Sequence, residues 1–142
     1  MIIAKQTGDL HTSRLSQAIV ARALSAPWYP EHLNAVRRLY RTKRDALMQV
    51  LAEQFGDRLT FAAPRGGMFV WAQLHNDVTS SAESDTDSAR WLSRALDHNV
   101  CFVPGQAFAV DRDLSSFVRL SYATGTTEEL AEGVRRMALA LG

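Results

Sequence analysis

From Leu33 through Val36, Tyr40, Leu47, Val50 and Leu51 to Phe55, apolar side chains recur at the spacing of one helix face. Pro30 suits the first helical position, Glu31 complements the positive helix end, and Gly56 can terminate it. An earlier helix is predicted over Asp9–Leu24, with Leu15, Ala18, Ile19 and Ala21–Leu24 as its apolar positions and Pro27 as its stop. Two short strands follow, Leu59–Ala63 and Met68–Leu74, joined by Pro64-Arg65-Gly66-Gly67. Both alternate sets of the second strand are apolar, which predicts a strand covered on both faces.

His75–Asp87 reads as a polar surface loop. Ala89, Leu92, Ala95 and Leu96 then predict a third helix ending near His98-Asn99. Val100–Val103 is expected to be a strand broken by Pro104-Gly105, with a loop to Ser116 and a last strand at Phe117–Tyr122. Thr126 followed by Glu129 forms the capping-box pattern that starts a final helix, lined inside by Leu130, Val134, Met137, Ala138 and Leu141. The order predicts an α+β fold, a small and mostly antiparallel sheet with helices packed on it.

The chain's 142 residues allow one domain with a real core, and its 46% hydrophobic and 22% charged residues are ordinary for a globular protein. A net charge of +1 gives no electrostatic footprint for nucleic acid. Arg37, Arg38, Arg41 and Arg44 cluster, but on the polar side of the long helix, as a solvated face would. No stretch is apolar enough for a membrane, and Lys5 and Asp9 interrupt any early apolar run, so a cytoplasmic location is the expectation. Cys101, alone, excludes an internal disulfide, and in an apolar strand it would act as a small hydrophobe. His11, His32, His75 and His98 are scattered without ligand spacing, so no metal site is expected.

Chemistry concentrates at three places. Arg119 shares a strand face with Phe117 and Ser121, where a guanidinium is costly to bury unless a carboxylate or phosphate meets it. From the pattern alone, an exposed sheet face or an internal ion pair with an acidic side chain of this chain is the favoured explanation. The Gly66-Gly67 pair permits a tight turn and a close backbone approach to a ligand, or simply a hairpin. Pro104-Gly105 aims the loop through Phe108 sharply, which serves a site border or an ordinary turn.

Taken in order, Pro64-Arg65-Gly66-Gly67-Met68-Phe69-Val70-Trp71, Val100-Cys101-Phe102-Val103-Pro104-Gly105-Gln106-Ala107-Phe108 and Val118-Arg119-Leu120-Ser121-Tyr122-Ala123 closely resemble the C-terminal part of fold-type-I aminotransferases. The branch resembled contains 2-aminoadipate and kynurenine transaminases and the aminotransferase-like domains of MocR-type transcription regulators. The segment Lys5–Ser13 with Gln17 is similar to the stretch that follows the lysine region there. The resemblance implies that Arg119 grips the α-carboxylate of an amino acid or 2-oxo acid. It implies that Gly66 and Gly67 contribute to substrate binding, and that Pro104 and Gly105 belong to an active-site loop. It also implies a homodimer, with residues 1–29 as the end of a large domain and 30–142 as a small domain that closes over substrate.

The cofactor of that family is pyridoxal 5'-phosphate (PLP), held as a Schiff base by a lysine that the resemblance places upstream of Lys5. Lys5 and Lys43 are the only lysines, and neither matches that position. The chain is therefore expected to hold no catalytic residue and no covalent PLP by itself. The alternative implied by the same resemblance is the effector-binding domain of a MocR-type regulator.

Overall fold

The chain's last helix starts where two polar side chains complete each other. Thr126 Oγ1 accepts from the Glu129 backbone N–H at 3.2 Å, and Glu129 Oε2 accepts from the Thr126 N–H at 2.7 Å. This is the predicted capping box, and it opens a helix over Thr127–Leu141. The computed structural model describes residues 7–8, 11–75 and 86–142. The early segment of residues 1–6, residues 9–10 and most of the predicted polar loop, 76–85, lie outside them.

In chain order the helices are α1 (Arg14–Leu24), α2 (Tyr29–Phe55), α3 (Ser88–Asp97) and α4 (Thr127–Leu141). The strands are β1 (Leu59–Phe61), β2 (Phe69–Leu74), β3 (Val103–Pro104) and β4 (Phe117–Ser121). All pair antiparallel in the order β1-β2-β4-β3. The architecture is the expected α+β layer. Two compact units are distinguished, residues 1–38 and 39–142, with the boundary inside α2.

In the first unit, α1 is capped by Ser13, whose hydroxyl accepts from Ser16 N–H, and it buries no residue. Leu33 and Val36, expected in a buried stripe, are only half-buried. The same stripe continues in the second unit, where Leu47, Leu51 and Phe55 are buried. Gly56 ends α2 with φ of 51°, a left-handed conformation that costs glycine nothing.

The core of the second unit lies between the helices and one sheet face. Val70, Ala72, Leu74, Val118 and Leu120 point into it from β2 and β4, joined by Leu47, Leu51 and Phe55, and by Val134, Met137 and Ala140 of α4. Trp91 is fully enclosed, its indole N–H donating to Met137 O at 3.0 Å. The inner face of α3 is Ser88, Trp91 and Ala95, while the predicted Ala89 and Leu96 are exposed. Trp91 claims the inward direction because its ring fills the space between Phe55 and Phe102, 5.5 and 4.7 Å away.

Two further expectations change. β2 is not covered on both faces: Phe69 and Trp71 remain 39% and 38% exposed, while Val70 and Ala72 are buried. Pattern alone cannot separate two covered faces from one core face and one open aromatic face. The strand expected at Val100–Val103 shrinks to Val103–Pro104, because Phe102 turns into the core against Trp91 instead of continuing the ladder. Cys101 is consequently exposed rather than packed as a small hydrophobe.

Candidate carboxylate-binding face

The open side of the sheet is built by alternation. β4 is an inner strand, and its Val118 and Leu120 face the core, so Phe117, Arg119 and Ser121 must face the other way. In register, Trp71 of β2 and Val103 of β3 sit beside Arg119, and Phe69 sits opposite Ser121. Trp71 stacks on Phe117 at 5.6 Å and meets Phe108 edge-on at 5.7 Å. Arg119 thus stands in an aromatic surround, its guanidinium carbon 4.2 Å from the Phe69 ring centroid and 4.7 Å from that of Phe108.

Among the described residues the guanidinium has no ion-pair partner of the kind a structural arginine would have. Its Nε is buried and makes no hydrogen bond, and no ion pair to Arg119 occurs among the described residues. A buried donor left unsatisfied costs about 1–3 kcal/mol, more when charged. The internal ion pair that the sequence left open is absent among the described residues. The face can offer a planar, charged hydrogen-bond donor to an anion.

Two turns lie towards opposite ends of β4. Gly67, at φ of 82°, closes the turn before β2, and its carbonyl accepts from Tyr122 Oη at 2.9 Å. Met68 O accepts from Tyr122 N–H, and Pro64 O accepts from Arg44 Nη1, which fastens both sides of the glycine pair. Burial pushes the Tyr122 phenol above its ordinary value of 10.0, against the opposing charge of Arg44. A raised acid pKa means stability that is complete below pH 10 and lost as pH rises through the folded-state value. Tyr122→Phe should therefore cost about 1 kcal/mol at neutral pH through the lost hydrogen bond. The gap between the two proteins should narrow above pH 10 in urea unfolding.

At the other end, Pro104 leads into a single 3₁₀ turn, Gly105–Phe108, which brings Phe108 to Arg119. Gln106 Oε1 accepts from Leu114 N–H at 3.2 Å and ties the turn to the chain entering β4. A Cβ on Gly105 would lie 2.5 Å from Leu114 O, 2.6 Å from Phe117 Cβ and 2.9 Å from Phe117 O. Glycine is required there by closeness, not by its dihedral angle. Gly105→Ala should cost about 1–3 kcal/mol, read as a lowered urea midpoint, because backbone atoms on two sides must give way.

Of the predicted site residues, Arg119, Pro104 and Gly105 come together around one sheet face, while Gly66 and Gly67 sit at its Ser121 end. Sequence reasoning missed Phe69 and Phe108 as contacts of Arg119. Phe69 is two residues from the glycine pair and Phe108 closes the Pro-Gly segment, but nothing in their spacing signals that both rings converge on one side chain.

The sequence profile of the family "Aminotransferase class I and II" matches residues 2–137. The chain belongs to this family. It is 40% identical over 141 residues to a 2-aminoadipate transaminase of Thermus thermophilus, covering 99% of this chain and 33% of the relative. A crystal structure of an α-aminoadipate aminotransferase from that organism, complexed with N-(5'-phosphopyridoxyl)-L-leucine, superposes with a TM-score of 0.81 at 39% identity. The match covers 97% of this chain and 33% of that one. An HTH-type transcriptional regulator of Bacillus subtilis is 31% identical over 134 residues, 94% of this chain and 26% of its own length. The chain thus spans about a third or less of the relatives it matches.

Of the chain's two lysines, only one falls among the described residues. Lys43, the one lysine among them, is half-buried and donates to Ala123 O at 3.2 Å. The positions that share Arg119's sheet face, Phe69, Trp71, Gln73, Phe117 and Ser121, include neither an amine nor a carboxylate. Among the described residues, no three His, Cys, Asp or Glu side chains gather to hold a metal, and no helix is long and apolar enough to cross a membrane.

Proposed function

We propose that this chain supplies substrate carboxylate recognition to a protein that transfers an amino group between an amino acid and a 2-oxo acid. The observation that carries the reading is the part-buried guanidinium of Arg119 among aromatic rings, without an ion-pair partner among the described residues. Such a group is stabilised by an arriving carboxylate, which supplies two charge-assisted acceptors at once. The Gly66-Gly67 turn and the Pro104–Phe108 segment border this face, and in this reading residues 30–142 move as a small domain that closes and excludes water. In this reading the lysine that would hold PLP lies in the rest of a protein of the relatives' length. When bound there, PLP supplies the electron sink for amino-group chemistry.

The test is a titration of the 142-residue chain with 4-methyl-2-oxopentanoate, followed through the Arg119 Nε–H resonance. That resonance should move saturably, and chloride at equal ionic strength should not reproduce the shift. No saturable change would overturn the assignment. A companion experiment adds PLP and then borohydride: no stoichiometric adduct is expected on Lys5 or Lys43, and one on either would place the catalytic centre within this chain.

The similarity to an HTH-type regulator favours a second reading, in which the same arginine binds the carboxylate of an effector amino acid. Specific DNA binding by the full-length protein, without turnover of amino acids, would select it.

A further inference from the structure

Arg119 is held by two phenylalanines that come from different elements and touch it from different directions in the chain. Phe69 opens β2 at the Ser121 end of β4, and Phe108 closes the 3₁₀ turn fixed by Gly105 and Gln106. Both rings lie within cation–π range of the guanidinium carbon, at 4.2 and 4.7 Å.

We propose that Phe69 and Phe108 are positioning residues, which hold the Arg119 guanidinium preformed for one carboxylate. The proposal rests on the carboxylate-binding reading of Arg119. A free arginine side chain loses considerable rotamer freedom when it binds an anion, and a held one has already lost it. A carboxylate of the chain could hold the guanidinium equally firmly, but it would occupy the donors and cancel the charge. Rings avoid both consequences: they attract the cation through their faces and accept none of its in-plane N–H groups. The buried and unpaired Nε is the observation that this arrangement explains. The side chain is held by aromatic contact while its Nε makes no hydrogen bond among the described residues.

Phe69 and Phe108 are 39% and 41% exposed, so shortening them leaves the core intact. The test compares the unsubstituted chain with Phe69→Leu, Phe108→Leu, the double variant and the ring-keeping Phe69→Tyr/Phe108→Tyr pair. Two readouts are taken: the Arg119 Nε–H chemical shift without ligand, and the dissociation constant for 4-methyl-2-oxopentanoate. The leucine variants should lose the ring-current contribution to the Nε–H shift. Affinity should fall about threefold for each single variant and about tenfold for the pair, with tyrosine restoring most of it. Leucine variants that bind as tightly as the unsubstituted chain, while Arg119→Gln does not bind, would overturn the positioning role and leave the carboxylate reading standing. An unsubstituted chain that shows the ring-current shift yet binds no more tightly than Arg119→Gln would overturn both.

Discussion

Arg119→Gln should weaken binding of a 2-oxo acid about a hundredfold while leaving the stability of the chain within about 1 kcal/mol of its starting value. The two halves of this expectation have separate physical causes. Glutamine keeps a polar, planar end of shorter reach, but it loses the positive charge and the paired N–H donors that match a carboxylate. Hydrogen bonds to charged groups contribute about 1.5–3 kcal/mol, which corresponds to roughly 10- to 150-fold in affinity. Stability changes little because two effects oppose each other. The variant gives up the ring contacts at Phe69 and Phe108, about 0.5–2 kcal/mol. It also removes a buried Nε that makes no hydrogen bond. Arg119→Lys should fall between, since it keeps the charge as a point and loses the fork. The measurements are the titration described above and urea unfolding of each variant. An arginine that served the fold would show the reverse pattern, a large loss of stability with binding unchanged.

Arg119 stands out in the sequence as a residue needing a partner, although the pattern alone favours an exposed face or an internal ion pair. Only the family resemblance points to a ligand, and the surroundings of Arg119 give no signal at all. A guanidinium alternating with Phe117 and Ser121 on a strand whose other face is Val118 and Leu120 is an energetic anomaly visible in one dimension. The capping box at Thr126 and Glu129 and the left-handed Gly56 were equally legible, because each is settled by residues adjacent in the chain. The open face of β2 was not. Phe69 and Trp71 are as apolar as Val70 and Ala72, and only the paired strands show which set meets the helices. The same limit hid the inner face of α3. The stripe Ala89, Leu92, Ala95 and Leu96 follows helical spacing, but Ser88 with Trp91 and Ala95 follows it too. A serine at the buried position argues against the true face on composition, and its hydroxyl has no hydrogen-bond partner among the described residues. What decides between the stripes is the volume of one indole ring, which must lie between Phe55 and Phe102.

Trp91→Ala should accordingly destabilise the chain more than any other single truncation considered, by about 3–5 kcal/mol. The ring is fully enclosed and joins three parts of the fold. It meets Phe55 at the end of α2 edge-on, packs at 4.7 Å on Phe102 just before β3, and reaches α4 through the hydrogen bond to Met137 O. Alanine would leave a cavity that these elements cannot collapse into without moving the segment that carries β3. Set against a typical domain stability of about 5–15 kcal/mol, the loss approaches the whole margin. Trp91→Phe keeps most of the apolar contact and gives up the N–H donor, so it should lose only a fraction of that amount. Urea denaturation of both variants, read by circular dichroism, tests the ranking. If Trp91→Ala unfolded at the same midpoint as the unsubstituted chain, the indole would not be the element that fastens α3 to the rest. The consequence also reaches the candidate site. Phe102 directly precedes Val103, the neighbour of Arg119, so a core that shifts at Trp91 moves one wall of the candidate face around Arg119. The alanine variant should therefore bind 4-methyl-2-oxopentanoate more weakly even at temperatures where it remains folded, whereas Trp91→Phe should bind it normally.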